Sequence, residues 1–265
     1  MKRTHAPRLY PIRPVVVAHA AHRRPEAIAL AQRLGLTFAE ALPDNAQGLA
    51  VVLTPERLEL RATGPDAPGP VYADFVDGAT ARRARQGQQA DEGLLRAAGA
   101  RHGRTPSVID ATAGLGRDAC LLAALGCRVT LLERHPVVAS LLADGLRRAT
   151  ADTQTVSFAA RMTLIEADAG AALAQRVAET VLLDPMHPPR RKSAAVRKEM
   201  RLFRDLVGTD DDAGELLPLA LDAARWRVVV KRPRGAAPLA GEPPSGSIDG
   251  RSTRFDIYAG RAADG

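Results

Sequence analysis

Apolar residues in this chain fall in short runs that end in an acid, and helix-length amphipathic stretches separate the runs. Val108-Ile109 ends in Asp110, Val129-Thr130-Leu131-Leu132 in Glu133, and Thr180-Val181-Leu182-Leu183 in Asp184. A further run, Met162-Thr163-Leu164-Ile165, stands between the last two. The helical stretches are Asp118 to Leu125, Pro136 to Ala149 and Ala169 to Val177, then Ser193 to Leu206 and Glu215 to Ala224 ahead of Arg227-Val228-Val229-Val230. Strand and helix in strict alternation predict a parallel sheet with helices on its faces. A Pro/Gly loop from Pro233 to Gly246 then leads to Arg254–Ala259, expected as a last, antiparallel edge strand.

The pattern upstream of Val108 is different. Val15 to Ala18 predicts a strand, and Pro25 to Leu34 a helix with proline in its first turn. Leu49 to Arg61 predicts a hairpin around Pro55-Glu56, and Val71 to Val76 another strand. Arg82, Arg83 and Arg85 lie among small residues in what reads as a linker, and Asp91 to Ala100 predicts a helix. The expected organisation is a small N-terminal α/β domain over residues 1–77, a basic linker and helix over 78–107, and a Rossmann-like α/β domain over 108–265.

Asp110-Ala-Thr-Ala-Gly114-Leu-Gly116-Arg117-Asp118 joins the first acid-ended strand to a helix through a glycine turn. Glycines 114 and 116 let backbone approach a ligand closely, and a helix N-terminus follows at once. Glu133 lies 133 − 114 = 19 residues past the first glycine, where a ribose-binding carboxylate belongs in such a half. Gly114 to Ala119 also fits the dinucleotide fingerprint, so NAD stays open. Asp110 and Asp118 favour a cation over a pyrophosphate, and S-adenosylmethionine (SAM) carries a sulfonium. Asp184-Pro185 ends the fourth strand, so its acid belongs to the same crevice. Asp-Pro there has the form of sites that hold an exocyclic amine through the acid and a neighbouring carbonyl. As an isolated dipeptide it is more often a turn.

A net charge of +7 makes a polyanionic partner plausible, while 3% aromatic residues argue against base stacking as the main device. Cys120 and Cys127 form no C-x-x-C pair and read as reduced core thiols. The six histidines show no metal-ligand spacing, so no metal is expected. No apolar run approaches a membrane span, and a cytoplasmic protein is expected.

Taken together, Asp110–Asp118, Leu132-Glu-Arg-His-Pro-Val-Val138, Leu183-Asp-Pro-Met186, Lys192-Ser193, Lys198-Glu-Met-Arg201 and Val228-Val-Val-Lys-Arg-Pro233 resemble the bacterial 16S ribosomal RNA guanine-N2 methyltransferases of the J type. Arg254-Phe-Asp-Ile-Tyr-Ala-Gly260 resembles that family's ending, and Val52–Leu60 with Asp74-Phe-Val76 extend the likeness upstream. The resemblance spans roughly residues 45–260. It implies a class I methyltransferase sheet, SAM as cofactor, a cytoplasmic setting, and methylation of one guanine near the 3′ end of 16S rRNA, on naked RNA or an assembling subunit. It implies cofactor contacts from Arg117, Asp118, Glu133, Arg134, Asp168, Ala169 and Asp184. The family favours an aromatic residue after Asp-Pro-Met, where this chain has His187; an imidazole can still stack on a base. The positions around Asp168 also depart from the family's small hydroxyl residues.

The expected roles follow. Asp110, Gly114 and Gly116 form the cofactor turn with Arg117 and Asp118. Glu133 accepts both ribose hydroxyls, the alternative being a solvated strand-end acid. Asp168 takes the adenine amine, with a helix N-cap as its plain alternative. Asp184 holds the guanine amine and takes its proton, with Pro185 and His187 beside it. Arg190, Arg191 and Lys192 follow that loop, and Arg197, Lys198, Arg201 and Arg204 continue along the next helix, with 197, 201 and 204 on one face suited to phosphates or merely solvated. Lys231 and Arg232 are expected on the same rim. The rival readings are an NAD-dependent oxidoreductase and a non-catalytic RNA-binding ribosome-assembly factor.

Overall fold

In the computed structural model the described residues are 12–42, 48–64, 67–86, 92–101, 103–185, 202, 206–207, 213–250 and 252–262. The elements are β1 (Val15–Ala18), α1 (Arg24–Leu34), β2 (Thr37–Ala39), β3 (Leu49–Leu53), β4 (Leu58–Ala62), α2 (Ala79–Gln86), α3 (Glu92–Ala98), β5 (Val108–Asp110), α4 (Arg117–Ala124), β6 (Val129–Glu133), α5 (Pro136–Ala151), α6 (Val156–Ala159), β7 (Met162–Glu166), α7 (Ala169–Leu173), β8 (Ala178–Leu183), α8 (Ala213–Ala223), β9 (Ala224–Pro233), β10 (Gly246–Asp249) and β11 (Thr253–Ala259). Among the described residues no helix is long and apolar enough to cross a membrane.

The chain divides into two units. The first holds residues up to Tyr72, with Leu202, Leu206 and Val207 grouped to it; the second holds Ala73 onward. The boundary differs from the expected one at residue 77, because Ala73 and Phe75 are buried in the core of the second unit. The stretch expected as a strand over Val71–Val76 pairs only at Val71, which bridges Leu60. Asp74 explains the break: its Oδ1 accepts from the backbone N–H groups of Val76 and Asp77, each at 3.1 Å, which is a turn geometry.

In the first unit a four-stranded sheet runs β2-β1-β3-β4, with β1 parallel to β2 and β3, and β3 antiparallel to β4. The expected hairpin is present. The Thr54 hydroxyl accepts from the N–H groups of Glu56 and Arg57 at 3.3 and 3.1 Å, which closes the turn around Pro55.

The second unit carries the seven-stranded sheet β10-β11-β9-β8-β5-β6-β7. Strands β5 to β9 are parallel to their neighbours, and β11 runs antiparallel to β9 and β10. Side chains alternate between two cores, as a pleated strand requires. Val108, Leu131, Leu182 and Val229 join the cluster with Phe75, Leu94 and Leu122 on one face. Ile109, Leu132, Val181 and Val230 join Leu173, Leu217 and Ala220 on the other. Burial on both faces is why these strands read as continuous apolar runs.

Three expectations change. The linker over 78–107 holds a helix, α2, whose Ala81 and Ala84 are buried three residues apart while Arg82, Arg83 and Arg85 stay exposed. Strand β11 is not the edge, since β10 pairs along its outer side, from residues between the expected loop and the expected last strand. Helix α7 ends at Leu173 instead of Val177.

Strand order reverses at β5, whose neighbours β6 and β8 lead away in opposite directions. The crevice beyond the carboxyl ends of β5 and β8 is where an open α/β sheet binds its ligand.

Candidate active site

Asp110, Glu133 and Asp184 come together at that switch point because β5, β6 and β8 are adjacent and in register. Backbone bonds continue past the strand ends. The Ala111 N–H donates to the Leu182 carbonyl at 2.9 Å and the Ala113 N–H to the Leu132 carbonyl at 3.1 Å, tying the glycine turn to both neighbours.

Gly114 and Gly116 both have positive φ, +53° and +69°. They serve different ends. A Cβ on Gly114 would meet nothing within 4 Å, so that face is open to a ligand. A Cβ on Gly116 would lie 2.9 Å from Leu142 Cδ1 and 3.1 Å from Phe75 Cζ, so that glycine lets α4 start against the core. Arg117 and Asp118 open α4 directly after it.

Glu133 is held by two backbone donors, Gly114 N–H at 3.0 Å to Oε2 and His135 N–H at 2.8 Å to Oε1. A carboxylate accepts about four hydrogen bonds, so it can orient the turn and receive ligand hydroxyls together. Arg134 is half-buried beside it. Asp168 caps α7, its Oδ1 accepting from the Ala171 N–H at 3.2 Å, and Ala169 is buried as the first residue of that helix. The structure thus displays the capping geometry that the sequence offered as the alternative for Asp168.

Asp184 leaves β8 half-buried, and its backbone N–H donates to Thr112 Oγ1 at 2.6 Å; Pro185 after it is buried. Thr112 was not expected at the site. The available signal was a hydroxyl between an acid and a glycine in a turn that must meet the next strand. Lys231 is the larger surprise. Its ammonium donates to Asp118 Oδ2 at 2.7 Å and to Asp184 Oδ2 at 2.8 Å. Burial works to lower the Lys231 pKa, and the charges of Asp184 and Asp118 outweigh it and hold the ammonium above its ordinary range. Arg232 does not join it on one rim, because successive strand residues point to opposite faces. Its guanidinium donates instead to the Ala237 carbonyl at 3.2 and 2.9 Å. His187, Arg190, Arg191, Lys192, Arg197, Lys198, Arg201 and Arg204 lie outside the described residues.

Burial pushes Asp110 up to about 8, and the charge of Asp118 adds to the shift. An acid with a folded pKa above its ordinary 3.8 keeps a proton that the unfolded chain releases. Native stability therefore falls as pH rises from near 4 toward 8, and stays lower above that window. Asp110→Asn, free of cofactor, is expected to melt above the parent chain at about pH 8.5, with the gap closing at about pH 4; each kcal/mol recovered is worth about 2–4 °C. Equal melting temperatures at both pH values in a thermal melt would show that Asp110 ionises at no cost.

The donor set fits SAM. Open space over Gly114 and Glu133 at the end of β6 suit a nucleoside, and the acids at the turn favour a cationic one over a pyrophosphate. Residues 29–260 match the family described as "Putative SAM-dependent methyltransferase". The chain is 49% identical over 235 residues to the ribosomal RNA small subunit methyltransferase J of Pseudomonas paraeruginosa, covering 88% of this chain and 89% of the relative. It is 50% identical over 239 residues to the protein of the same name from Thioalkalivibrio sulfidiphilus, covering 89% and 93%. The crystal structure of a SAM-dependent methyltransferase from Neisseria gonorrhoeae superposes with a TM-score of 0.74 at 35% identity, over 94% of this chain and 97% of that one. With the glycine turn, the strand-end acids and this likeness along nearly the whole chain, the protein belongs to the SAM-dependent ribosomal RNA small subunit methyltransferase J family.

Proposed function

We propose that this methyltransferase acts on small-subunit ribosomal RNA in the cytoplasm and methylates the exocyclic N2 of one guanine near the 3′ end of 16S rRNA. The observation that supports this reading most is Asp184-Pro185 at the carboxyl end of β8, beside the glycine turn and braced by Thr112. When bound, SAM supplies a methyl group on a cationic sulfur that an amine lone pair can take up.

The chain's own residues supply position and charge. Asp118 and the turn at Gly114 hold the cationic part, with the protonated Asp110 lining the turn, and Glu133 holds the ribose. Arg117, Arg134 and Asp168 complete the cofactor's surroundings in this reading. Asp184 accepts a hydrogen bond from the guanine amine, directs its lone pair, and takes the proton that N2 must lose. Pro185 stiffens the loop, and His187 stacks on the base. The cations of 190–204 face phosphate in the same reading.

Small subunits or 16S rRNA from a strain lacking this methylation, incubated with the protein and deuterated SAM, are expected to yield N2-methylguanosine in a single 3′-terminal nuclease fragment by mass spectrometry. Label on another base, or on no RNA, would overturn the reading.

A further inference from the structure

Lys231 places its ammonium between two carboxylates, those of Asp118 and Asp184. Leu183 and Val230 are the last pair between β8 and β9, so Asp184, just past the end of β8, lies beside Lys231, which β9 still pairs to Phe255 of β11. Asp118 reaches the same point from the start of α4. The three groups meet with both nitrogen–oxygen distances inside the range of charge-assisted bonds.

We propose that Lys231 is a positioning residue for methyl transfer: its ammonium aims the Asp184 carboxylate and keeps it ionised, while Asp118 anchors the ammonium. The inference rests on the reading above, in which Asp184 receives the substrate amine.

The physical argument starts from crowding. The titratable groups that face Lys231 are Asp118 from α4, Asp184 from the end of β8, and Asp110 from the end of β5, whose carboxyl burial keeps protonated at neutral pH. Carboxylates this close raise one another's proton affinity, and a protonated Asp184 could no longer take a proton from an amine. An ammonium between two of them removes that repulsion. A lysine stem is flexible and would wander if solvated, and two short bonds to fixed acids hold it in one place. To neutralise an RNA phosphate the same ammonium would have to abandon both.

The test compares Lys231→Met and Lys231→Arg with the parent enzyme on the same RNA, following kcat against pH, KM for RNA and Kd for SAM. Lys231→Met is expected to lower kcat at neutral pH about 10–100-fold and to move the acid limb of the profile up by about one pH unit, because Asp184 loses its counter-charge. RNA KM and SAM Kd are expected to stay within about threefold of the parent. Lys231→Arg should keep the limb in place and most of the rate. In an Asp184→Asn background, Lys231→Met should cost nothing further, since its effect runs through that carboxylate.

An unmoved acid limb in an active Lys231→Met enzyme would overturn the proposal, as would an independent, multiplicative loss in the double variant. A variant with intact kcat at saturation but weaker RNA binding and a salt slope reduced by about one would return Lys231 to the phosphate rim. Should Lys231→Met not fold, Lys231→Gln carries the same pH readout. Failure of the guanine reading shows in the parent enzyme, as absence of N2-methylguanosine; failure of this one shows only in the variants of an active enzyme.

Discussion

Asp184→Ala is expected to lower methyl transfer at saturating cofactor and RNA by about 10²–10⁴-fold, the range for losing a positioned acid–base group. The loss falls on the chemical step. The Asp184 backbone N–H donates to Thr112 Oγ1 in the glycine turn, and alanine keeps that bond. SAM should therefore still bind, with modest weakening because one acid has left the rim of the crevice. Lys231 retains Asp118 at 2.7 Å, so the variant does not strand a buried cation. Asp184→Asn sharpens the reading: it preserves size and an oxygen acceptor and removes the charge. Asparagine as slow as alanine would locate the effect in the charge, whereas a near-parental asparagine enzyme would locate it in orientation of the amine. Single-turnover transfer of labelled methyl measures both. Parental turnover in Asp184→Ala would remove this residue from the chemistry.

The second large effect concerns the cofactor. Glu133→Ala is expected to weaken SAM by about 10²-fold or more, because two hydrogen bonds to a charged group are worth about 1.5–3 kcal/mol each. The same carboxylate receives the Gly114 and His135 N–H groups, so alanine also loosens the turn over which the cofactor lies. Both losses act in one direction. Glu133→Gln separates them in part, since its amide oxygen can still accept from one backbone donor. Thermal shift reads the result without needing RNA: the parent chain should melt progressively higher as SAM is added, following RT ln(1 + [L]/Kd), and Glu133→Ala should hardly respond at the same concentrations. A parental SAM response in the variant would relegate Glu133 to a brace for the turn.

Much of the sheet was legible from residues because its central strands are buried on both faces. Val108-Ile109, Val129–Leu132, Thr180–Leu183 and Val228–Val230 have no polar side to hide their period, and each stops where an acid or base meets the crevice. Elements whose burial is slight were not legible. Strand β10, mostly exposed, exists only because β11 offers it an edge, and β2 is three residues long. Helix α2 buries only small side chains, Thr80, Ala81 and Ala84. Asp74 marked a turn, yet the apolar residues around it suggested a strand through it.

What the residues determined alone was the chemistry of each strand end and the need for glycine beside it. The spacing of acids after apolar runs is a local property, and so is a turn that only residues tolerant of positive φ can make. Tertiary structure alone decided that Lys231 meets two of these acids. Asp118 and Lys231 lie 113 residues apart, and Lys231 and Asp184 lie 47 apart; one ammonium joins them only because β8 and β9 are parallel neighbours while α4 begins at the same end of the sheet. A lysine at a strand end reads in sequence as a solvated cation, since that is its lowest-energy state when nothing is near. Packing brought two carboxylates within hydrogen-bonding reach, and short-range attraction in a partly desolvated crevice then made it part of the site.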